Sequence, residues 1–163
     1  MSTTSINAQE SRLDISSLII KSNALGNIKI GMHIAEFLIM FPHEDIKKEK
    51  ISLEGDDYEI YNFYKNDNVI FSVEPDEDKI WRIWIHSNKI TTEKGLKIGD
   101  NLKDIRKNYK IKDFVVGEGQ VAIILENYDY SFMLESIEIP EDWWTNQKLE
   151  TLTDNLKIES III

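Results

Sequence analysis

The sequence contains no cysteine. That excludes a disulfide framework, a thiolate zinc site, an iron–sulfur cluster and a cysteine nucleophile. No apolar run approaches the roughly 18 residues of a membrane-spanning helix. Basic residues are in the minority, 19 Lys and Arg against 29 Asp and Glu, for a formal net charge of −10. Binding to a phosphate backbone calls for clustered Lys and Arg, so nucleic acid is not an expected partner. An acidic surface suits a basic partner, or solubility alone.

Catalytic signatures are missing as well. The three histidines, His33, His43 and His86, form no HxH or HExxH pattern. KGLKIGD has two glycines but lacks the GK[ST] of a phosphate loop, and there is no GxSxG. The turn PDEDK lacks the Gly and distal Glu of an EF-hand loop, and a solvated turn is expected there. Glu74 and Glu135 fall at matching places in a repeat described below. They are expected to be structural strand-end residues, with a pair of catalytic acids as the rival reading. The sequence thus assigns no catalytic residue, no metal ligand and no cofactor.

What is present is an ordinary globular composition, 42% hydrophobic and 29% charged in 163 residues. A chain of this length buries about 68–70% of its unfolded surface and needs no staple. It also repeats itself. NIKIGMHIAEFLIMF (Asn27 to Phe41) aligns with GLKIGDNLKDIRKNY (Gly95 to Tyr109), which sets Gly31 on Gly99, Ile34 on Leu102 and Phe37 on Ile105. IYNFYKNDNVIFSVE aligns with VAIILENYDYSFMLE, and KIWRIWI with KIESIII, in the same order. Each half reads as a short strand closed by Gly, a helix with apolar residues at i, i+3 and i+7, and three strands rich in β-branched and aromatic residues. Gly31 and Gly99 are expected at backbone positions that a side chain would hinder. NDN (Asn66 to Asn68) and Pro75 to Asp78 are expected turns, and SSLII (Ser16 to Ile20) an added edge strand.

The expected fold class is therefore α+β: two tandem helix-plus-antiparallel-meander repeats forming a two-layer sandwich, with the helices on one sheet face. The expected organisation is a polar leader over 1–24, a first repeat over 25–92 and a second over 93–163. The second repeat carries an insertion at about 137–154. The leader MSTTSINAQES lacks an apolar core and is no signal peptide. It reads either as a frayed terminus or as a lipoprotein linker with Met1 in place of an acylated Cys. A periplasmic or membrane-anchored location is expected on the second reading, a cytoplasmic one otherwise.

The repeated IKIGM and LKIGD boxes before an amphipathic helix, followed by a meander, resemble the tandem-repeat bacterial proteins of the beta-lactamase-inhibitor-protein-like fold. The resemblance spans about 25–163 and rests on short structural motifs. It implies a non-enzymatic protein that binds another protein, of the inhibitor or immunity type, or a small lipoprotein of envelope assembly.

Aromatic placement locates the expected site. Along KIWRIWI, alternation sets Trp81, Ile83 and Ile85 toward the core and Arg82 and Trp84 on the open face. Arg and Trp on an open sheet face make binding hot spots. Trp143 and Trp144, in the insertion, are the second pair of expected anchors. Glu74, Asp76, Glu77 and Asp78 are the expected steering charges. The first helix carries extra apolar residues, Leu38, Ile39 and Met40, and the segment from Leu13 to Ile20 is expected to cover them. The functional expectation is an immunity or inhibitor protein that occludes a secreted toxin or enzyme. A structural or assembly lipoprotein of the cell envelope is the alternative, and the oligomeric state is left open.

Overall fold

A computed structural model describes residues 14–53, 55–117 and 119–163. Residues 1–13, which include the MSTTSINAQES stretch and Leu13, lie outside the described residues. In chain order the elements are β1 (Ile19–Lys21), β2 (Ala24–Leu25), β3 (Ile28–Lys29), α1 (Ile34–Leu38), β4 (Ile46–Leu53), β5 (Asp56–Lys65), β6 (Asn68–Asp76), β7 (Lys79–Ile85) and β8 (Thr91–Thr92). They continue with α2 (Leu102–Asn108), β9 (Ile111–Gly117), β10 (Gln120–Leu125), β11 (Ser131–Leu134), α3 (Trp143–Asn146) and β12 (Ile158–Ile162). Eight strands form one antiparallel sheet in the order β4-β5-β6-β7-β12-β11-β10-β9, and a small sheet runs β3-β2-β1-β8.

The expected α+β sandwich is corrected. Among the described residues the chain is mostly β, with twelve strands in two sheets, and helices α1, α2 and α3 have only five, seven and four residues. Helices of one to two turns cannot form a covering layer. The inner face of the large sheet is covered instead by α1 and α2 together with Ile20, Leu25 and Ile28 of the small sheet, Trp143 and Leu152 of the insertion, and Leu156 just before β12. Each meander has four strands, not three. β4 was hidden by its charges: Lys47, Lys48, Glu49 and Lys50 occupy half of it. β1 is not an edge strand, because it pairs with β2 on one side and β8 on the other.

The core sits on the inner face. Phe63, Phe71, Val73, Ile83 and Ile85 from the first meander are fully buried, as are Val121, Ile123, Phe132, Leu134 and Ile161 from the second. Phe63 and Phe71 stack at 4.9 Å, and Phe37 and Phe41 close over them at 6.3 Å and 4.9 Å from the nearer ring. α1 stops at Leu38, so Ile39 leaves the helical stripe and stands 83% exposed. Leu18 and Ile19 share a cleft with Met40 and Phe41 but leave Ile39 uncovered, which corrects the expected shielding.

The two KIG boxes attach to the sheet in the same way. Gly31 N–H donates to Ile80 O (2.7 Å) and Ile34 N–H to Asp78 O (2.8 Å). Gly99 N–H donates to Ile158 O and Leu102 N–H to Leu156 O (both 2.9 Å). Both glycines have positive φ, 85° and 93°. A Cβ at either position would meet nothing within 4 Å. The expected need for glycine holds at both positions, and its cause is the backbone angle rather than crowding. α2 is further fixed by a capping box, in which Asp104 N–H donates to Asn101 Oδ1 and Asn101 N–H to Asp104 Oδ2.

Both outer strands carry edge protection. β4 is studded with charge, and on β9 the Phe114 N–H is taken up by its neighbour Asp113 (2.8 Å).

The glycine geometry gives a clean test. Gly99→Ala adds a methyl group that clashes with nothing yet must adopt a left-handed conformation costing about 1–2 kcal/mol. The expected result is a fall in melting temperature of roughly 2–8 °C. An unchanged melting temperature would show that the backbone relaxes freely there.

Candidate functional site

The open face of the large sheet is the outstanding surface. A single cross-strand row traverses all eight strands on that face: Lys47, Asn62, Ser72, Trp84, Ile162, Ser131, Ile124 and Asp113. Trp84, Ile162, Ser131 and Ile124 are only half-buried. Val115, beside the row on β9, is exposed. The β9–β12 half of this face carries Ile162, Ile124 and Val115 beside Ser131 and Asp113, and the β4–β6 half is polar.

At the seam between the halves sits a compact cluster. The Glu74 carboxylate accepts from Trp81 Nε1 (3.2 Å), Trp84 Nε1 (3.1 Å) and Arg82 Nη1 (3.5 Å). The Arg82 guanidinium lies 4.4 Å from the Trp81 ring centre and 5.5 Å from that of Trp84, within cation–π range of both. A bulge between Glu74 and Pro75 creates this arrangement. It breaks the alternation of β7, so Trp81 joins Arg82 and Trp84 outside the core and is 49% exposed. The expected inward placement of Trp81 is thereby corrected. Ile83 and Ile85 are buried, and Arg82 and Trp84 lie on the open face.

Glu74 is not a free steering charge. Its side chain is only 13% exposed and is paired with Arg82, so its role is to hold the two indoles and the guanidinium in place. Asp76, Glu77 and Asp78 are exposed in the β6–β7 turn. Asp78 pairs with His33 at 3.1 Å. Trp143 and Trp144 do not join the cluster. Trp143 is buried on the inner face, its ring 6.1 Å from Phe114, and its indole N–H donates to Lys148 O. With that N–H satisfied, nothing requires the side chain to leave the core. Trp144 packs edge-on against it at 5.5 Å and is half-buried. The insertion is held to α2 by Arg106, which pairs with Asp154 and donates to Leu149 O.

A second arrangement on the polar half was not foreseen. Tyr64 Oη and Asn62 Nδ2 both donate to the Glu49 carboxylate, at 2.7 Å and 3.0 Å. Asn62 therefore turns its Oδ1 toward Ser72, whose hydroxyl donates to it (2.6 Å). The Ser72 oxygen can then only accept from His86, 2.9 Å away, so His86 carries its proton on Nε2. That polarity is the reverse of an imidazole acting as base toward a serine nucleophile. Residues from β4, β5, β6 and the residue after β7 make this chain, and only the tertiary register brings them together.

Glu74 and Glu135 cannot work as a pair. β7 and β12 lie between their strands, a separation of about 14 Å at 4.8 Å per strand, beyond that of glycosidase carboxylates. Among the described residues, no group of three His, Cys, Asp or Glu side chains is placed to hold a metal ion, and no helix is long and apolar enough to cross a membrane.

Replacing Glu74 by Leu strands two indole N–H groups and a guanidinium. The expected cost is about 1–3 kcal/mol in a denaturant titration followed by tryptophan fluorescence, with Glu74→Gln milder because an oxygen acceptor remains. For His86, desolvation of the ring lowers its pKa below the ordinary 6.5. The folded state then favours neutral imidazole, so this contribution to stability is intact above pH 6.5 and is lost as pH falls through the depressed pKa. His86→Gln, which keeps a donor for Ser72, is expected to flatten the acid limb of the melting-temperature profile. A profile that the substitution leaves unchanged would deny His86 that role.

Comparison with known proteins bears on the fold alone. No family model and no curated protein matches the chain. The crystal structure of the uncharacterized protein yfeY from Escherichia coli is similar, with a TM-score of 0.57 and 18% sequence identity. The match covers 88% of this chain and 95% of that one. At that identity the similarity is one of architecture.

Proposed function

We propose that this chain is a non-enzymatic protein-binding module whose docking surface is the open face of the large sheet. Its most concrete form is an immunity or inhibitor protein that occludes a secreted bacterial toxin or enzyme. The observation that carries the reading is the Trp81–Arg82–Trp84 cluster, held on Glu74 and left half-exposed at the centre of a sheet face that no element covers among the described residues. Trp and Arg dominate binding hot spots. A cluster already fixed by its own hydrogen bonds loses little conformational freedom on association. The β9–β12 half of the face, with Ile124, Ile162 and Val115, supplies desolvated contact area beside the anchors.

The partner's chemistry is read from charge. A net charge of −10 and the exposed Asp76, Glu77 and Asp78 at one end of β6 and β7 favour a basic protein and speed its encounter. Arg82 is neutralised internally by Glu74 and does not oppose that attraction.

The test is capture from source-cell lysate by the tagged protein, beside an Arg82→Ala, Trp84→Ala double variant. One basic protein is expected at stoichiometric yield, with capture weakened by added salt. Two hot-spot truncations are expected to lower its affinity by about 100-fold or more. Equal capture by the variant would remove the open face from consideration. Weak, salt-insensitive association with several envelope components would point to the assembly role.

A further inference from the structure

We infer that the cavity at the His86 end of the sheet binds a small oxyanion, the chemistry shared by carboxylate, sulfate and phosphate groups. The cavity has a volume of about 440 Å³ and is lined by Lys65, Asn66, Asn68, His86, Ser87 and Lys89, with apolar residues behind them. No Asp or Glu is among its lining residues, in a chain whose acidic residues outnumber its basic ones by 29 to 19. The lining therefore offers two ammonium groups, side-chain amides, a hydroxyl and an imidazole with no carboxylate among them. An anion is the ligand that can use ammonium, amide and hydroxyl donors together without meeting a carboxylate.

The hydrogen-bond chain behind the cavity determines how His86 takes part. Glu49 orients Asn62, Asn62 orients Ser72, and Ser72 leaves His86 with its proton on Nε2. The neutral ring then presents a bare lone pair at Nδ1, which has no protein partner among the described residues. A lone pair repels an anion, whereas a protonated Nδ1 donates to one. Binding is thus coupled to uptake of one proton, with Nε2 still donating to Ser72.

The other charges around the ring are known. Lys65 arrives on β5 tied to Asp45 at 3.3 Å, so its charge is shared. Lys89 follows β7, and its backbone N–H donates to Ser87 Oγ (3.2 Å). Lys89 is the second lysine of the lining and stands exposed. Glu49 lies at the far end of the chain and reaches His86 only through Asn62 and Ser72. This inference does not depend on the docking reading, and its test involves no protein partner.

The experiment is a titration of the isotope-labelled protein followed by amide and imidazole chemical shifts. Sulfate is the first probe and acetate the second, because neither changes charge between pH 6 and 8. Saturable shifts are expected at Asn66, Asn68 and Ser87 to Lys89, together with proton uptake by His86. Affinity is expected to rise as pH falls, by up to about tenfold per pH unit, the limit for one linked proton. His86→Gln is expected to abolish the pH dependence while leaving weak binding. Lys89→Ala, at an exposed position, is expected to weaken binding at every pH. Saturation by sulfate alone identifies a tetrahedral oxyanion site, by acetate alone a carboxylate site, and by both a general one. Non-saturating shifts scattered over the surface would overturn the inference. So would a pH dependence that His86→Gln leaves intact.

Discussion

The structure hangs on the pairing of β7 with β12. This contact joins two meanders into one sheet through Ile85 with Ile161 and Trp84 with Ile162, extended by two reciprocal bonds between Ile83 and Ile163 at 2.9 Å. α1 is tethered to β7 and its preceding turn through Ile80 and Asp78, and α2 to the start of β12 through Ile158 and Leu156. Both helices therefore take their positions from the seam. The seam strands also bring Arg82, Trp84 and Ile162 to the centre of the open face. Buried Ile83, Ile85 and Ile161 hold the other side of the same strands, so the core and the candidate site are two faces of one contact.

The division of labour between those faces is chemical. The inner face is close-packed aliphatic and aromatic surface whose polar groups, such as Thr92, Tyr109 and Tyr130, bond one another. The outer face keeps its polar groups in two local networks, one ending on Glu74 and one on Glu49. Each network is organised by a carboxylate that only accepts, which imposes a direction on every donor around it. This fixes indole, guanidinium, amide and imidazole orientations on a face that no other element covers among the described residues.

Parts of this arrangement were legible in the residues. The KIG boxes mark equivalent attachments of two helices because a left-handed backbone position admits glycine with little alternative. Asn66 and Asp67 turn β5 into β6 with positive φ at both positions, as the NDN tract foretold. Ile83 and Ile85 alternate inward because the strand period is two. What escaped was whatever depends on long-range register or on packing. The bulge at Pro75 displaced Trp81 from its expected face. Trp143 reads as an exposed anchor until Lys148 O and Phe114 are seen beside it. β4 reads as a loop because its lysines answer to a sheet edge rather than to a core. The Glu49–Asn62–Ser72–His86 chain has no local signature, since three separate strands and the residue after a fourth supply its members.

The edge features of β4 and β9 have a consequence for behaviour in solution. A broad sheet would ordinarily polymerise edge to edge, each copy extending the hydrogen-bonded ladder of the last. Here one border repels through its lysines, and the other has a backbone donor plugged by its own aspartate. Both features disfavour growth in the plane of the sheet. Contact with other molecules is steered perpendicular to the sheet, where side chains decide the match, and away from a border where any backbone would fit.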